Sequence, residues 1–189
     1  MDFKYTVTIP GNGACLFLTL RLCLEITASY KSETENLCFL GFCDHLMADA
    51  KRLRDRIVDW YEDEDASVPQ LGRFDEKSGT LWRRKTIVDT ELAKTGSAAT
   101  PELRKAYLEK MRHTTVWGST PEYTAFALLS GRAVMVWQQK DGAVKLIDTV
   151  AGNAPIINIF FRNNHYEPIL TEAEKVLLES RGKIDTVRI

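Results

Sequence analysis

Apolar residues crowd the stretch from Cys15 to Ile26 on almost every side of a helical repeat: Leu16, Phe17, Leu18, Leu20, Leu22, Cys23, Leu24 and Ile26. This pattern predicts a helix from Cys15 to about Ser29 that is buried all round. A second helix is expected from about His45 to Tyr61. There Leu46, Ala50, Leu53, Ile57, Trp60 and Tyr61 recur at steps of three and four, Asp44 stands at the N-cap position, and the other face is charged and expected to be solvated. Thr100-Pro101-Glu102 and Thr120-Pro121-Glu122 repeat one device. A hydroxyl caps, proline takes the first turn where no amide donor is missed, and a carboxylate meets the positive end of the helix dipole. Helices should follow to about Arg112 and Ser130, the second stopped by Gly131.

The periodicity then changes to strands. Ala133 to Trp137 is turned by Asp141-Gly142 into Val144 to Thr149, a hairpin signature, and Ile156 to Phe161 and Tyr166 to Leu170 read as two more strands. Thr171-x-x-Glu174 is a capping box for a last helix to about Arg181, ended by Gly182, with Leu170, Ala173, Val176 and Leu177 on its apolar side. Two polar stretches, Glu62 to Lys77 and Lys94 to Thr100, read as surface loops. A helical layer followed by a mostly antiparallel sheet is an α+β arrangement.

At 189 residues the chain has room for one domain with a small appendage. The balance of 25 basic against 26 acidic residues excludes a strongly basic nucleic-acid surface, and no apolar run reaches the roughly 20 residues that span a bilayer. The N-terminus lacks the pattern of a secretory signal, so the four cysteines, Cys15, Cys23, Cys38 and Cys43, are expected as thiols in a reducing, cytoplasmic compartment. Cys38 and Cys43 have no second Cys/His pair at ligand spacing, so neither a metal nor a cofactor is implied.

Chemistry concentrates at Pro10-Gly11-Asn12-Gly13-Ala14-Cys15, a turn that delivers a thiol to the start of a helix. There the unpaired amides favour thiolate, and the glycines allow backbone N–H groups to turn toward an oxyanion. On these residues alone a small core cysteine after a glycine turn remains the simpler reading. A nucleophile needs a base, and His165, at the junction of a polar turn and a strand, is better placed than His45 or His113, which read as structural.

Four segments in order carry a resemblance. Gly11-Asn12-Gly13-Ala14-Cys15-Leu16-Phe17 resembles the Gly-Asp-Gly-Asn-Cys-Leu-Phe segment of the ovarian-tumour (OTU) cysteine proteases, which remove ubiquitin from proteins. Arg52 to Trp60 is similar to the family's second helix. Tyr107 to Met111 with Trp117-Gly118 and Glu122 to Ala125 resembles its Tyr-x-x-x-Met and Trp-Gly-Gly-x-x-Glu-Leu-x-Ala block. Ile157 to Phe160 with Asn164-His165-Tyr166 resembles its histidine strand.

The resemblance implies a papain-like OTU fold, a small mostly antiparallel sheet packed between helices, with a catalytic domain over 1–170, a variable region over 62–99 and a C-terminal helix and tail over 171–189. It makes Cys15 the nucleophile and His165 the general base, with the amides around Asn12 to Cys15 as the oxyanion hole and Trp117, Gly118 and Asn164 lining the substrate cleft. Asn12 and Ala14 stand where the family has Asp and Asn, and Glu167 where it often has Asp or Asn. The third member of the triad is therefore open. Glu167 ranks first because it alternates in phase with His165 along a strand, followed by Asn12 and then Asn163.

The implied partner is ubiquitin or a ubiquitin chain and the implied state a monomer, with no nucleic acid and no membrane. The departures from the family pattern suit a divergent bacterial or viral effector in a host cytosol. Ubiquitin's basic tail calls for carboxylates, which Glu62-Asp63-Glu64-Asp65, Asp89, Glu91 or Glu122 can offer. A ubiquitin-binding protein without turnover, or a hydrolase for another ubiquitin-like modifier, fits the same residues.

Overall fold

The computed structural model describes residues 2–29, 44–68, 71, 74–75, 80–181 and 186–189. Cys38, Cys43 and Gly182 lie outside them. The fold is α+β. Strand β1 (Phe3–Val7) leads through the 8–14 turn to α1 (Cys15–Ser29), and α2 (Asp44–Trp60) follows. A short hairpin, β2 (Phe74–Asp75) and β3 (Thr80–Leu81), precedes α3 (Arg84–Lys94), α4 (Pro101–Met111) and α5 (Thr120–Ser130). Then come β4 (Arg132–Lys140), β5 (Ala143–Val150), β6 (Asn153–Arg162), β7 (His165–Thr171), α6 (Glu172–Arg181) and β8 (Thr186–Arg188).

The main sheet runs β5-β4-β6-β7-β1-β8, with β4 and β6 parallel and every other pair antiparallel. Strand β8 adds to the free side of β1, so the C-terminal segment completes the same sheet. Residues Leu16, Phe17, Leu18, Thr19, Leu20 and Leu22 of α1 are all fully buried, as its unbroken apolar run requires. The helix packs on β6 and β7, and α2 packs on it. The opposite face of the sheet holds a smaller cluster of Phe3, Phe160 and Ile169. No helix among the described residues is long and apolar enough to cross a membrane.

Several local expectations hold and others shift. Thr100 caps α4 by accepting from Leu103 N at 3.3 Å, and Thr171 with Glu174 forms the capping box of α6. The cap of α5 is Ser119 rather than Thr120, because Glu122 reaches back to the Ser119 amide at 2.7 Å. The buried residue of α6 is Leu178, whereas Ala173 and Val176 face solvent. Helix α3 lies in the stretch taken as variable and has only Ile87 and Val88 buried.

Residues 62–65 do not form a free acidic loop. Glu62 pairs with Arg112 at 2.7 Å, Glu64 with Arg104 at 3.1 Å, Asp63 with Arg84 at 3.8 Å, and Asp65 with Arg83 and Lys85. Arg104 also takes Asp89 at 3.0 Å, so these charges tie α3 and α4 to the end of α2.

Candidate active site

The turn before α1 is shaped by close approach. Gly13 has φ +79°, and a Cβ there would lie 2.2 Å from the carbonyl oxygen of Thr115. Only glycine meets both conditions. The Asn12 amide donates to Pro10 O at 3.0 Å, and the Asn12 Oδ1 accepts from the Ala14 amide at 3.3 Å. Asn12 is therefore committed within its own loop. Cys15 follows as the first residue of α1, fully buried. Burial pushes its thiol up from the ordinary range. The backbone N–H groups of Tyr166, Leu16 and Cys15 itself, and the positive charge of Arg54, act in the opposite direction. One turn later the Thr19 hydroxyl donates to Tyr166 O at 2.9 Å. Thr19, one turn beyond Cys15 on the same helix face, thus ties α1 to the backbone of Tyr166, the residue directly after His165.

His165 opens β7, paired across from Arg162. The two residues between them, Asn163 and Asn164, have φ +50° and +59°, the left-handed values that a two-residue hairpin turn requires and that asparagine tolerates. Asn163 therefore lies in the turn, outside the strand alternation that made it a triad candidate.

The His165 Nε2 lies 3.9 Å from Glu167 Oε1, a charge contact longer than a hydrogen bond. Glu167 is buried and also faces Arg162, whose Nη2 donates to Oε1 at 3.3 Å and lies 3.1 Å from Oε2, an oxygen that accepts no hydrogen bond. The carboxylate is shared between a guanidinium and the imidazole.

The Trp117 ring stands edge-on to His165 with centroids 6.2 Å apart and is 45% exposed. Beside it, a Cβ on Gly118 would lie 2.7 Å from Leu16 Cδ2, so the Trp117 loop rests on the first turn of α1. An open cleft of about 700 Å³ runs past Trp117, Gly118, Asn164, Phe161 and Tyr166. Glu91 is the carboxylate in its wall. A smaller cavity of about 140 Å³ lies between α3, α5 and the end of β5, and neither Cys15 nor His165 lines it or the larger cleft.

The structure brings Cys15, Asn12, Trp117, Gly118, Asn164, His165 and Glu167 to one end of the sheet. His113 is exposed. Cys23 is buried against Asn158 O at 3.5 Å, with burial pushing its thiol far up, which makes it inert. Two residues sit otherwise than expected. Arg54, expected on a solvated face, is 1% exposed. Glu122, expected among the carboxylates open to a basic tail, is instead buried beneath the Trp117 loop, accepting from the Ser119 amide and from the Tyr107 hydroxyl, both at 2.7 Å, and burial pushes it up to about 7.

No protein-family model and no curated protein matches the sequence. Solved structures do. An OTU deubiquitinase from Wolbachia pipientis wMel aligns with a TM-score of 0.52 at 18% identity, covering 95% of this chain and 98% of that one. The Hazara virus OTU bound to ubiquitin aligns at 0.51 and 14%, over 89% and 83% of the two chains. The OTU domain protease of Taggert virus aligns at 0.51 and 18%, over 89% and 80%. The likeness is one of fold, and the fold is that of OTU domains.

Proposed function

We propose that the protein is a cysteine-dependent deubiquitinase that hydrolyses the amide after ubiquitin's C-terminal glycine. The observation that carries this is the placement of Cys15 at the head of α1, a helix whose Thr19 hydroxyl holds the backbone carbonyl of Tyr166, the residue after His165, in a fold shared with an OTU bound to ubiquitin.

In this reading His165 takes the thiol proton, and the thiolate attacks the glycine carbonyl carbon, whose π electrons move to oxygen. Backbone amides of the 12–15 turn receive that oxyanion. Its collapse breaks the C–N bond, the lysine amine leaves with the proton from His165, and water attacks the thioester to release ubiquitin and free thiol. Glu167, held by Arg162, stabilises the charged imidazole. Trp117, Gly118 and Asn164 line the path of the tail. Glu91 is the carboxylate in the cleft wall. It already pairs with Lys94 at 2.6 Å and accepts from the Ser119 hydroxyl at 2.9 Å, so a basic side chain of the tail would join that pair, while residues 62–65 and Asp89 are held in pairs elsewhere.

The proposal extends to a single catalytic unit over residues 1–170 with 171–189 packed on it, acting as a monomer in a reducing cytosol. For a pathogen effector that cytosol is the host's.

One observation favours a second reading, a ubiquitin-binding protein without turnover: burial raises the Cys15 thiol, which leaves little thiolate at rest. A ubiquitin probe with an electrophilic C-terminus separates the two. Covalent labelling at Cys15, abolished by Cys15→Ala, is the expected result. Binding of ubiquitin without an adduct selects the second reading, and neither adduct nor binding overturns both.

A further inference from the structure

Arg54 is a buried cation on α2 whose four hydrogen bonds all end on backbone carbonyls. Nη1 donates to Met111 O at 2.9 Å, and Nη2 to Val116 O at 2.9 Å, Gly13 O at 3.0 Å and Thr114 O at 3.3 Å. Its guanidinium lies 4.0 Å over the Phe17 ring. One side chain therefore joins the turn before Cys15, the end of α4 and the loop that carries Trp117. A planar fork with several donors can do this, and an ammonium cannot. The charge persists at neutral pH, burial lowering Arg54 only to about 10.

The bond to Gly13 O has a directional effect. In a planar trans peptide the carbonyl oxygen and the following N–H lie on opposite edges. Arg54 draws Gly13 O inward, so the Ala14 N–H is turned the other way, where it now meets Asn12 Oδ1 at 3.3 Å.

We propose that Arg54 is a positioning residue of the hydrolysis: it fixes the Gly13–Ala14 peptide so that the Ala14 N–H is aimed at the oxyanion formed during attack by Cys15, and it sets a positive charge beside the thiolate. Asn12 Oδ1 occupies the acceptor position until substrate arrives. The inference rests on the deubiquitinase reading for its kinetic part and on Cys15 alone for its thiol part.

Arg54→Lys and Arg54→Gln test it in the full chain, with thermal unfolding to show that each is folded. Turnover of a fluorogenic ubiquitin amide gives kcat and KM. Site-resolved alkylation of Cys15 by iodoacetamide across pH, a reaction that forms no oxyanion, gives the thiol midpoint. The charged and titratable groups that act on Cys15 are Arg54 from α2 and Tyr166 from β7, with Glu122 from α5 and Asp55 from α2 acting on Arg54, and His165 is the base proposed above. Arg54→Lys keeps the charge and loses the fork. Its kcat should fall about 100-fold, the size expected for one oxyanion donor, with KM and the alkylation rate within about threefold of wild type. Arg54→Gln should lose kcat similarly and move the alkylation midpoint to higher pH.

Unchanged kcat in folded Arg54→Lys overturns the proposal, as does alkylation that falls as far as kcat, or failure of both variants to fold. If wild type does not turn over ubiquitin, the substrate reading fails separately, and an unmoved alkylation midpoint in Arg54→Gln then overturns the role of Arg54.

Discussion

Glu122 should make the stability of this protein depend on pH in a direction opposite to that of most carboxylates. It is 2% exposed, and burial raises it from the ordinary 4.5 to about 7 against two strong hydrogen bonds. An unfolded chain ionises this group above 4.5, while the folded chain keeps its proton until about 7. The native state thus binds more protons across that window, and raising the pH through it destabilises the fold, with no further change above it. At about 1.4 kcal/mol per pH unit the loss amounts to at most about 3 kcal/mol. Other carboxylates act differently, Asp49 and Asp65 being lowered, so the comparison must be with a variant that differs only here. Glu122→Gln carries no titrating proton. Urea unfolding followed by tryptophan fluorescence from pH 4.5 to 8.5 should show the variant gaining on wild type by up to about 3 kcal/mol between pH 4.5 and 7, then running parallel. A difference between the two curves that stays constant, or that shrinks as pH rises, refutes the reasoning.

Three shorter predictions concern the turn, the histidine and a cap. Gly13→Ala combines a φ of +79° with a Cβ driven into the Thr115 backbone. It should cost at least about 1–2 kcal/mol of stability and lower probe labelling of Cys15 at least tenfold, and labelling at the wild-type rate would refute the close approach. Glu167→Gln removes the charge facing His165 and Arg162, so kcat should drop about 10- to 100-fold with KM nearly unchanged. A rise in KM alone would instead assign Glu167 to substrate binding. Thr171→Ala loses the hydroxyl oxygen that accepts from the Glu174 N–H and should lower stability by about 1 kcal/mol in thermal or urea unfolding, with turnover unaffected.

The parts of the fold legible in the sequence were those written in short-range signals. The turn before Cys15, the Thr100 cap, the Asp141-Gly142 hairpin and the Thr171 capping box each depend on residues a few positions apart. Helix α3 gives no readable stripe because only two of its residues are buried, whereas β1 does carry a strand signal, the apolar-polar alternation of Phe3-Lys4-Tyr5-Thr6-Val7 ahead of Pro10-Gly11, which the expectation did not use. The Ser119 cap was present as Ser-x-x-Glu one position before the threonine. Arg54 was likewise within reach: Ala50, Leu53, Ile57 and Tyr61 define the buried face of α2, and position 54 falls among them. A charged side chain in an apolar stripe is the signal, and the assumption that charge means solvent hid it. The pairing of residues 62–65 with arginines up to 50 positions away leaves no local trace at all.

The seating of the site on main-chain groups bears on how such a protein can change over time. Thr19 rests on a carbonyl, Arg54 on four carbonyls, and Gly13 against a neighbouring backbone. Every residue of any type presents those same groups. A handful of side chains is therefore enough to hold the arrangement, and the remainder of the chain is free to be rewritten so long as its path through space is kept, which is how a common architecture can persist at 18% identity or less.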